Sequence, residues 1–536
     1  MPSASNVLAI ICIVWYVFIV LVCTIGCVQI FRYYSSPPGR STSNQLPHDE
    51  VPHVTIIRPC KGREPYLYEC LAASLEQDYP RDKLTVYFCI SSRDDPACST
   101  IERVIAEHSR DDCQLLVEEE DPALEAGTSD SRLGPNPKIR NMSRAYREAR
   151  GDVVWILDCN IWVGRGACGR MVDRLCGYSQ QGQRRPFKFV HHLPVAVDMP
   201  GKEAFHDQPT DPAHDTADIA PGTTARSTTQ HFGGRLDEAF LSAAHAKMYV
   251  AINTVAVAPC ICGKSSMFRR SHLNALTNED RSTETRFGSG IDHFAENICE
   301  DHLIGDLLWK GKIPSTLPIS AKEWRNHGLV YGDLALQPVS SMPISSYMAR
   351  RVRWLRVRKF TVPVATLVEP GTESFLCSLI GAYGFTTLPA TRDYIGGSWR
   401  VMLGLWALSI LGWVVVDWMV YLRLQSGKTV ETSFGNTTLP PFARPLRQRR
   451  PFFIWLASWL GRETLTLPIW TWATWGGVTV VWRDKKLWVG LDMKVHDYDR
   501  GVSEAQRQPL LSSNEGAGRV DGHMHAMANG GKVRQD

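Results

Sequence analysis

From Val7 to Phe31 the chain carries no charged side chain, and nearly every position in the run is apolar. About 20 such residues span the hydrocarbon core of a bilayer as a helix, so this stretch fixes one end of the molecule in or against a membrane. A cleaved signal peptide needs a shorter apolar core, a basic residue ahead of it and a small-residue cleavage site, and Met1 to Asn6 contains no basic side chain. The stretch is therefore read as a retained anchor over residues 1–34. Arg32 and Arg40 follow the run while nothing basic precedes it, so the positive-inside rule puts the body of the chain in the cytosol.

That body is large. The 536 residues leave room for several domains and a sizeable core. A net charge of +4, with 59 basic residues spread among 55 acidic ones, argues against nucleic acid as a partner. The 15 cysteines show no framework spacing, which fits a reducing compartment, and the Cys260-x-Cys262 pair is too sparse to mark a metal site.

After a Ser/Pro-rich linker from Ser35 to Pro52, Val54 to Ile57 reads as a first strand. A helix is expected from Tyr66 to Leu75, and Leu84 to Ile90 is a continuous apolar, β-rich run that stops at Ser91-Ser92-Arg93-Asp94-Asp95. Such runs are typical of strands buried on both faces of a parallel sheet. The alternation continues with a helix at Ser99 to Glu107, a strand at Gln114 to Val117, a helix at Lys138 to Ala149 and a strand at Val153 to Leu157 that ends in Asp158. Strand and helix alternation predicts a doubly wound, Rossmann-like α/β domain, set here at residues 51–340. Ligands of such sheets bind beyond the carboxyl ends of the strands, which is where Asp95 and Asp158 fall.

Residues 199–234 are rich in Asp, His, Thr, Pro and Gly and are expected to form a mobile insertion, with His206 and His214 owing their place to composition. From Leu236 to Ala258 an apolar helix and strand are expected to resume, and Glu300-Asp301 should open another helix, where the dipole favours acids. Beyond it the chain becomes apolar and Trp-rich. Residues 341–372 are read as an interfacial helical region and 373–489 as a membrane module built from Phe375 to Leu388, Val401 to Leu424 and Phe452 to Trp482. Asp417 would cost about 2.5–3.5 kcal/mol at a bilayer centre, so it should face protein. Residues 490–536 are polar and expected to be a disordered tail, and Asn436-Thr437-Thr438 is a glycosylation sequon.

Arg350-Arg351-Val352-Arg353-Trp354, continued by Arg356, Arg358 and Lys359, concentrates basic charge between body and membrane module. Anionic headgroups would attract it, and a diphosphate would use the two-pronged guanidinium geometry. The separated carboxylates Asp95, Asp158 and Asp301 favour the second: with a cation at Asp158-Cys159-Asn160 the set suits a nucleoside diphosphate leaving group.

These residues, in this order, resemble the ceramide glucosyltransferases, membrane enzymes with a GT-A domain of the family 2-like architecture. The resemblance runs from the first span to about Trp488 through Pro59-Cys60-Lys61-Gly62, Asp94-Asp95-Pro96-Ala97, Asn136-Pro137-Lys138-Ile139, Asp158-Cys159-Asn160, Val190-His191-His192-Leu193-Pro194, Glu300-Asp301 and Arg350-x-x-Arg353-Trp354. Family members often carry Gly where this chain has Asn160 and His192.

The resemblance implies inverting transfer of glucose from UDP-glucose to the primary hydroxyl of ceramide at a Golgi or ER membrane, with the catalytic domain cytosolic. Asp95, Asp158, Lys138, Arg350, Arg353 and Trp354 would bind the UDP-sugar. Asp158 would hold Mg2+ or Mn2+, Asp301 would act as general base, and His191 would lie near the acceptor. Two other readings share some features. A processive synthase of the hyaluronan or chitin type carries the same acids but needs a longer membrane module, and a non-catalytic lipid-binding scaffold has no use for three intact carboxylates.

Overall fold

A computed structural model of the chain describes residues 3–108, 112–125, 133–199, 232–279, 288–313, 324–431, 439–444, 450–483 and 485–497. Its centre is a seven-stranded sheet of β1 (Val54–Pro59), β2 (Leu84–Ile90), β3 (Cys113–Val117), β4 (Val153–Leu157), β5 (Phe187–Met199), β6 (Ser265–Arg269) and β7 (Arg325–Ser340), in the order β3-β2-β1-β4-β6-β5-β7. Only β6 runs against the others. β1, β2 and β4 are buried along their whole length, as their largely apolar sequences require.

Alternation along β4 divides the interior in two. Val153, Trp155 and Leu157 join a core with the helices Leu67–Leu75, Cys98–His108 and Ala167–Cys176. Val154 and Ile156 point the other way, into a core with Pro137–Arg147, Arg270–Glu279 and Glu300–Lys310. A sheet covered on both faces leaves its carboxyl edge as the place for a ligand.

Three expectations need correction. Leu236 to Val255 is helical, as Phe232–Ala239, a wide turn at Phe240–Ala244 and His245–Val255; Ala256 to Ala258 form a turn, and the next strand begins only at Ser265. Apolar residues on all sides suit a helix buried against several neighbours as well as a strand, and here the helix runs between β5 and the N-terminal helix. The predicted insertion is narrower than 199–234, because Met199 still pairs with Ser340 and Phe232 already opens a helix; residues 200–231 lie outside the described residues. The predicted tail likewise starts too early. Val495–Asp497 is a strand, pairing with Lys485–Val489, which pairs in turn with Thr479–Trp482. Val495 is buried beside Val357, Val480 and Leu487, which is why this stretch orders. The sequon at Asn436 and residues 498–536 lie outside the described residues.

Two helices, Ala4–Tyr33 and Trp399–Leu424, are long and apolar enough to cross a membrane. Leu8, Ile11, Val14 and Leu21 on the first, and Leu408 and Leu411 on the second, are exposed, as lipid-facing side chains would be. The N-terminal helix packs almost backbone to backbone on His245–Val255: a side chain at Gly26 would begin 2.0 Å from the Lys247 carbonyl oxygen. Asp417 is fully buried, paired with Lys247 and accepting from Trp459 Nε1 at 2.8 Å, so it faces protein as its cost in lipid requires. The last apolar stretch divides into the helix Phe452–Trp475, with Pro468 inside it, and the strand Thr479–Trp482.

Candidate active site

The Asn-Pro-Lys sequence starts a helix in the expected way. Asn136 caps Pro137–Arg147 by accepting from the backbone of Lys138 at 2.8 Å and Ile139 at 3.1 Å, and Pro137 fills the first turn, where no donor is lost. The cap places the Lys138 side chain in the interior, where its ammonium lies 3.0 Å from Asp158 Oδ1 and 3.1 Å from Glu300 Oε1. Burial alone would lower the Lys138 pKa, but the carboxylates of Asp158, Glu300 and Asp301 raise it, so it is charged.

Asp158 follows β4 and meets a second ammonium, Lys264 Nζ, 3.1 Å from Oδ2. Burial pushes this carboxyl up; the two lysines outweigh it and hold it at about 2. The loop after Asp158 is fixed from below by Arg58, which is fully buried and donates to the carbonyls of Cys70, Cys159 and Ile161 at 2.7, 3.0 and 3.1 Å. Asn141 ties the ends of β1 and β2 to the same helix as Lys138, through the Cys60 and Cys89 carbonyls at 3.1 and 3.0 Å. Neither Arg58, Asn141 nor Lys264 was marked by the sequence reading; a buried arginine inside an apolar strand is the signal that could have flagged Arg58.

Asp301 is the second residue of Glu300–Lys310. Its carboxylate lies over Gly263, where any side chain would begin 2.5 Å from Oδ2, so only glycine lets the helix start approach the Lys264 loop this closely. Among the described residues nothing hydrogen-bonds to or pairs with the Asp301 carboxylate. Glu300, in contrast, is buried between Lys138 and Asn136, with its pKa raised by burial. Asp301, Glu300 and Lys138 line a small cavity of about 20 Å³ with Ser266, Phe189 and Phe268.

Asp95 stands at the β2 end and accepts from the backbone of Gly62 at 2.8 Å and Ala97 at 2.9 Å, closing the Lys61-Gly62 loop over the edge of β1. The Arg-x-x-Arg-Trp residues lie on the helix Ile344–Thr361. Arg350 is engaged by Asp237 at 2.9 Å and Gln337 at 3.0 Å and covers the Trp354 ring at 4.7 Å. Trp354 packs on Phe240 and Val339. Arg353 has no hydrogen-bond or ion-pair partner among the described residues, and burial, with Arg350 nearby, lowers its pKa to about 10. A cation so placed favours an anion.

Arg356 and Lys359 do not face outward as a headgroup stripe. Arg356 donates to the Thr479 and Gly476 carbonyls at 2.6 and 2.7 Å, and Lys359 to Thr474 and Gly477 at 3.1 and 2.8 Å. Unsatisfied carbonyls at the end of Phe452–Trp475 attract them. Arg358 pairs with Glu369 at 3.2 Å. His191 is fully buried on β5, with Nδ1 2.5 Å from Tyr249 OH and Nε2 without a partner among the described residues, and burial drives its pKa well down. It is thus neutral and one strand position from the cavity, across from Ser266.

Comparison with known proteins gives the same family as the ordered motifs. The model of glycosyl transferase family 21 matches residues 14–204 and 219–495. A ceramide glucosyltransferase of Pyricularia oryzae is 48% identical over 510 residues, covering 93% of this chain and 96% of that protein. One from Gibberella zeae is 41% identical, covering 89% and 91%. Among solved structures, the mannosyltransferase PcManGT from Pyrobaculum calidifontis, in complex with GDP-Man and Mn2+, is similar over 78% of this chain and 97% of that one, at 16% identity and a TM-score of 0.38. The chain belongs to glycosyl transferase family 21.

Proposed function

We propose that the protein is a ceramide glucosyltransferase that moves glucose from UDP-glucose to the primary hydroxyl of ceramide with inversion. One observation carries the mechanism: of the acids at the site, Asp158 is paired with two lysines and Glu300 with one of them, while Asp301, at the cavity, has no partner among the described residues. An unpaired carboxylate is the group able to take a proton from an attacking hydroxyl. Asp301 accepts that proton as the ceramide oxygen attacks the anomeric carbon opposite the leaving diphosphate, so the α-linked donor gives a β-glucoside. Lys138 and Arg353 stabilise the charge that develops on UDP, and Asp95 with the Lys61-Gly62 loop bounds the nucleoside end.

The donor set at Asp158 fits a hard, oxygen-seeking cation bound through one carboxylate and the donor's own phosphates. The side chain is 20% exposed, and among the described residues no group of three or more His, Cys, Asp or Glu could hold a metal alone. When bound there, Mg2+ or Mn2+ supplies Lewis-acid stabilisation of the diphosphate. The two apolar helices support membrane association. The charge asymmetry around the first supports a cytosolic catalytic body at the Golgi or ER, where a soluble donor and a lipid acceptor meet, with residues 341–372 at the interface. His191, neutral and behind Ser266, is assigned to shaping the acceptor end of the cavity.

The test is Asp301→Asn in the full-length protein. Transfer is expected to fall by about 10²–10⁴-fold, with UDP affinity within a few-fold of wild type. Wild-type turnover in this variant would remove Asp301 as the base.

A further inference from the structure

Lys264 is the cation at the site that no motif marks. The loop that carries it is pinned to the β4 end, since the Asp158 backbone N–H donates to the Lys264 carbonyl at 3.0 Å and the Lys264 N–H to Cys262 at 2.7 Å. The preceding residue, Gly263, lies under Asp301. Lys264 thus stands between the carboxylate assigned to the diphosphate and the one assigned to the acceptor.

Two ammoniums on one carboxylate are not equivalent here. Lys138 has Glu300 as a second anchor at 3.1 Å, so it stays in place whatever Asp158 does. Lys264 has Asp158 at 3.1 Å and, among the described residues, no other partner. It is a compact charge on a flexible stem, able to change partners without moving the backbone. A diphosphate entering beside Asp158 offers stronger acceptor oxygens than the carboxylate that Lys138 already half neutralises.

We propose that Lys264 is a ligand of the donor diphosphate: it holds Asp158 before the donor arrives, then exchanges that carboxylate for a phosphate oxygen, freeing Asp158 Oδ2 for the divalent cation. This rests on the donor reading above. It also gives Lys264 a part in catalysis, because its charge then faces the oxygen on which UDP departs.

The test uses full-length protein in detergent micelles, with UDP and Mn2+ binding followed by calorimetry. Lys264→Met is expected to weaken UDP binding in the presence of Mn2+ by about 10-fold or more, the loss of one charge-assisted contact. The same variant should bind Mn2+ alone more tightly than wild type, because Asp158 Oδ2 has lost its competitor. Lys264→Arg should keep UDP affinity within about 3-fold. In Asp158→Asn, UDP measured without a divalent cation should bind at least as well as to wild type, and adding Lys264→Met should abolish that gain. If Lys264→Met leaves UDP affinity unchanged, or weakens Mn2+ binding instead of strengthening it, Lys264 only props Asp158 and the proposal is wrong. GDP is titrated in parallel: wild-type protein that binds GDP and not UDP overturns the donor reading, and the Lys264 comparison is then decided with GDP.

Discussion

Arg350 and Arg353 belong to one motif but have separate tasks. Arg350 neutralises Asp237, whose side chain is fully buried, so Arg350→Ala strands a carboxylate in the interior and is expected to cost about 3–5 kcal/mol of stability. Arg353 has no such obligation. Arg353→Met should leave the melting temperature unchanged or slightly higher, since a desolvated charge is removed, while the KM for UDP-glucose rises about 10-fold or more. Thermal melts in detergent alongside donor kinetics separate the two, and a large stability loss in Arg353→Met would contradict the assignment. The positions of Asp95 and Asp158 at strand ends, of Asp301 at a helix start and of the Arg-x-x-Arg-Trp residues on one helix were legible in the sequence, because each sits at a recognisable element boundary or in a dense motif. Lys264, Arg58 and Asn141 were not, because their roles depend on partners about 100 residues away in the chain or on carbonyls that no residue type announces.

At the level of elements, β1 to β4 were readable from apolar runs bounded by polar turns, since burial on both faces leaves little freedom in composition, whereas β5, β6 and β7 were not picked out. The region after Phe452 was harder. Thr479–Trp482 continues an apolar run without a break in composition, and Gly490 to Lys494 has the polar look of a tail, so the small three-stranded sheet went unseen. This sheet clasps the site from both sides: Lys61 donates to the Arg483 carbonyl at 2.8 Å beside the Asp95 loop, and Val495 donates to Glu296 at 2.6 Å just before Asp301. Arg356 and Lys359 hold its base. Arg356→Ala with Lys359→Ala is therefore expected to make residues 476–497 an early site of protease cleavage and to raise the KM for UDP-glucose several-fold. Unchanged proteolysis would show that the apolar contacts of Val480, Leu487 and Val495 suffice without the basic anchors.

Across the whole molecule, body and membrane module are joined through buried charge. Lys247, on a helix packed against the first apolar helix, meets Asp417 in the second, and Arg462 and Glu373 extend the network at 2.7 Å. The isolated cost of Asp417 made a protein-facing position predictable, but the identity of its partner was not, because Lys247 lies in a stretch whose fold was misread in part as a strand. Asp417→Ala leaves Lys247 unpaired in an apolar setting and should cost about 3–5 kcal/mol, whereas Lys247→Met with Asp417→Leu should recover most of it. Yields of folded, monodisperse protein in detergent would report the difference, and equal behaviour of the single and double variants would remove the pair as a determinant of assembly. In the proposed function the coupling matters because it joins the sheet that would bind the donor to the helices that would meet a lipid acceptor.

The most direct measurement gives the purified protein in ceramide-containing liposomes isotopically labelled UDP-glucose, with free sugar acceptors present, and identifies the product by mass spectrometry and its anomeric configuration by NMR. The account predicts β-linked glucosylceramide, formed in step with UDP, with no sugar polymer and with transfer reduced by about 10²–10⁴-fold in Asp301→Asn. A polysaccharide without glucolipid, or an α-linked product, would contradict it.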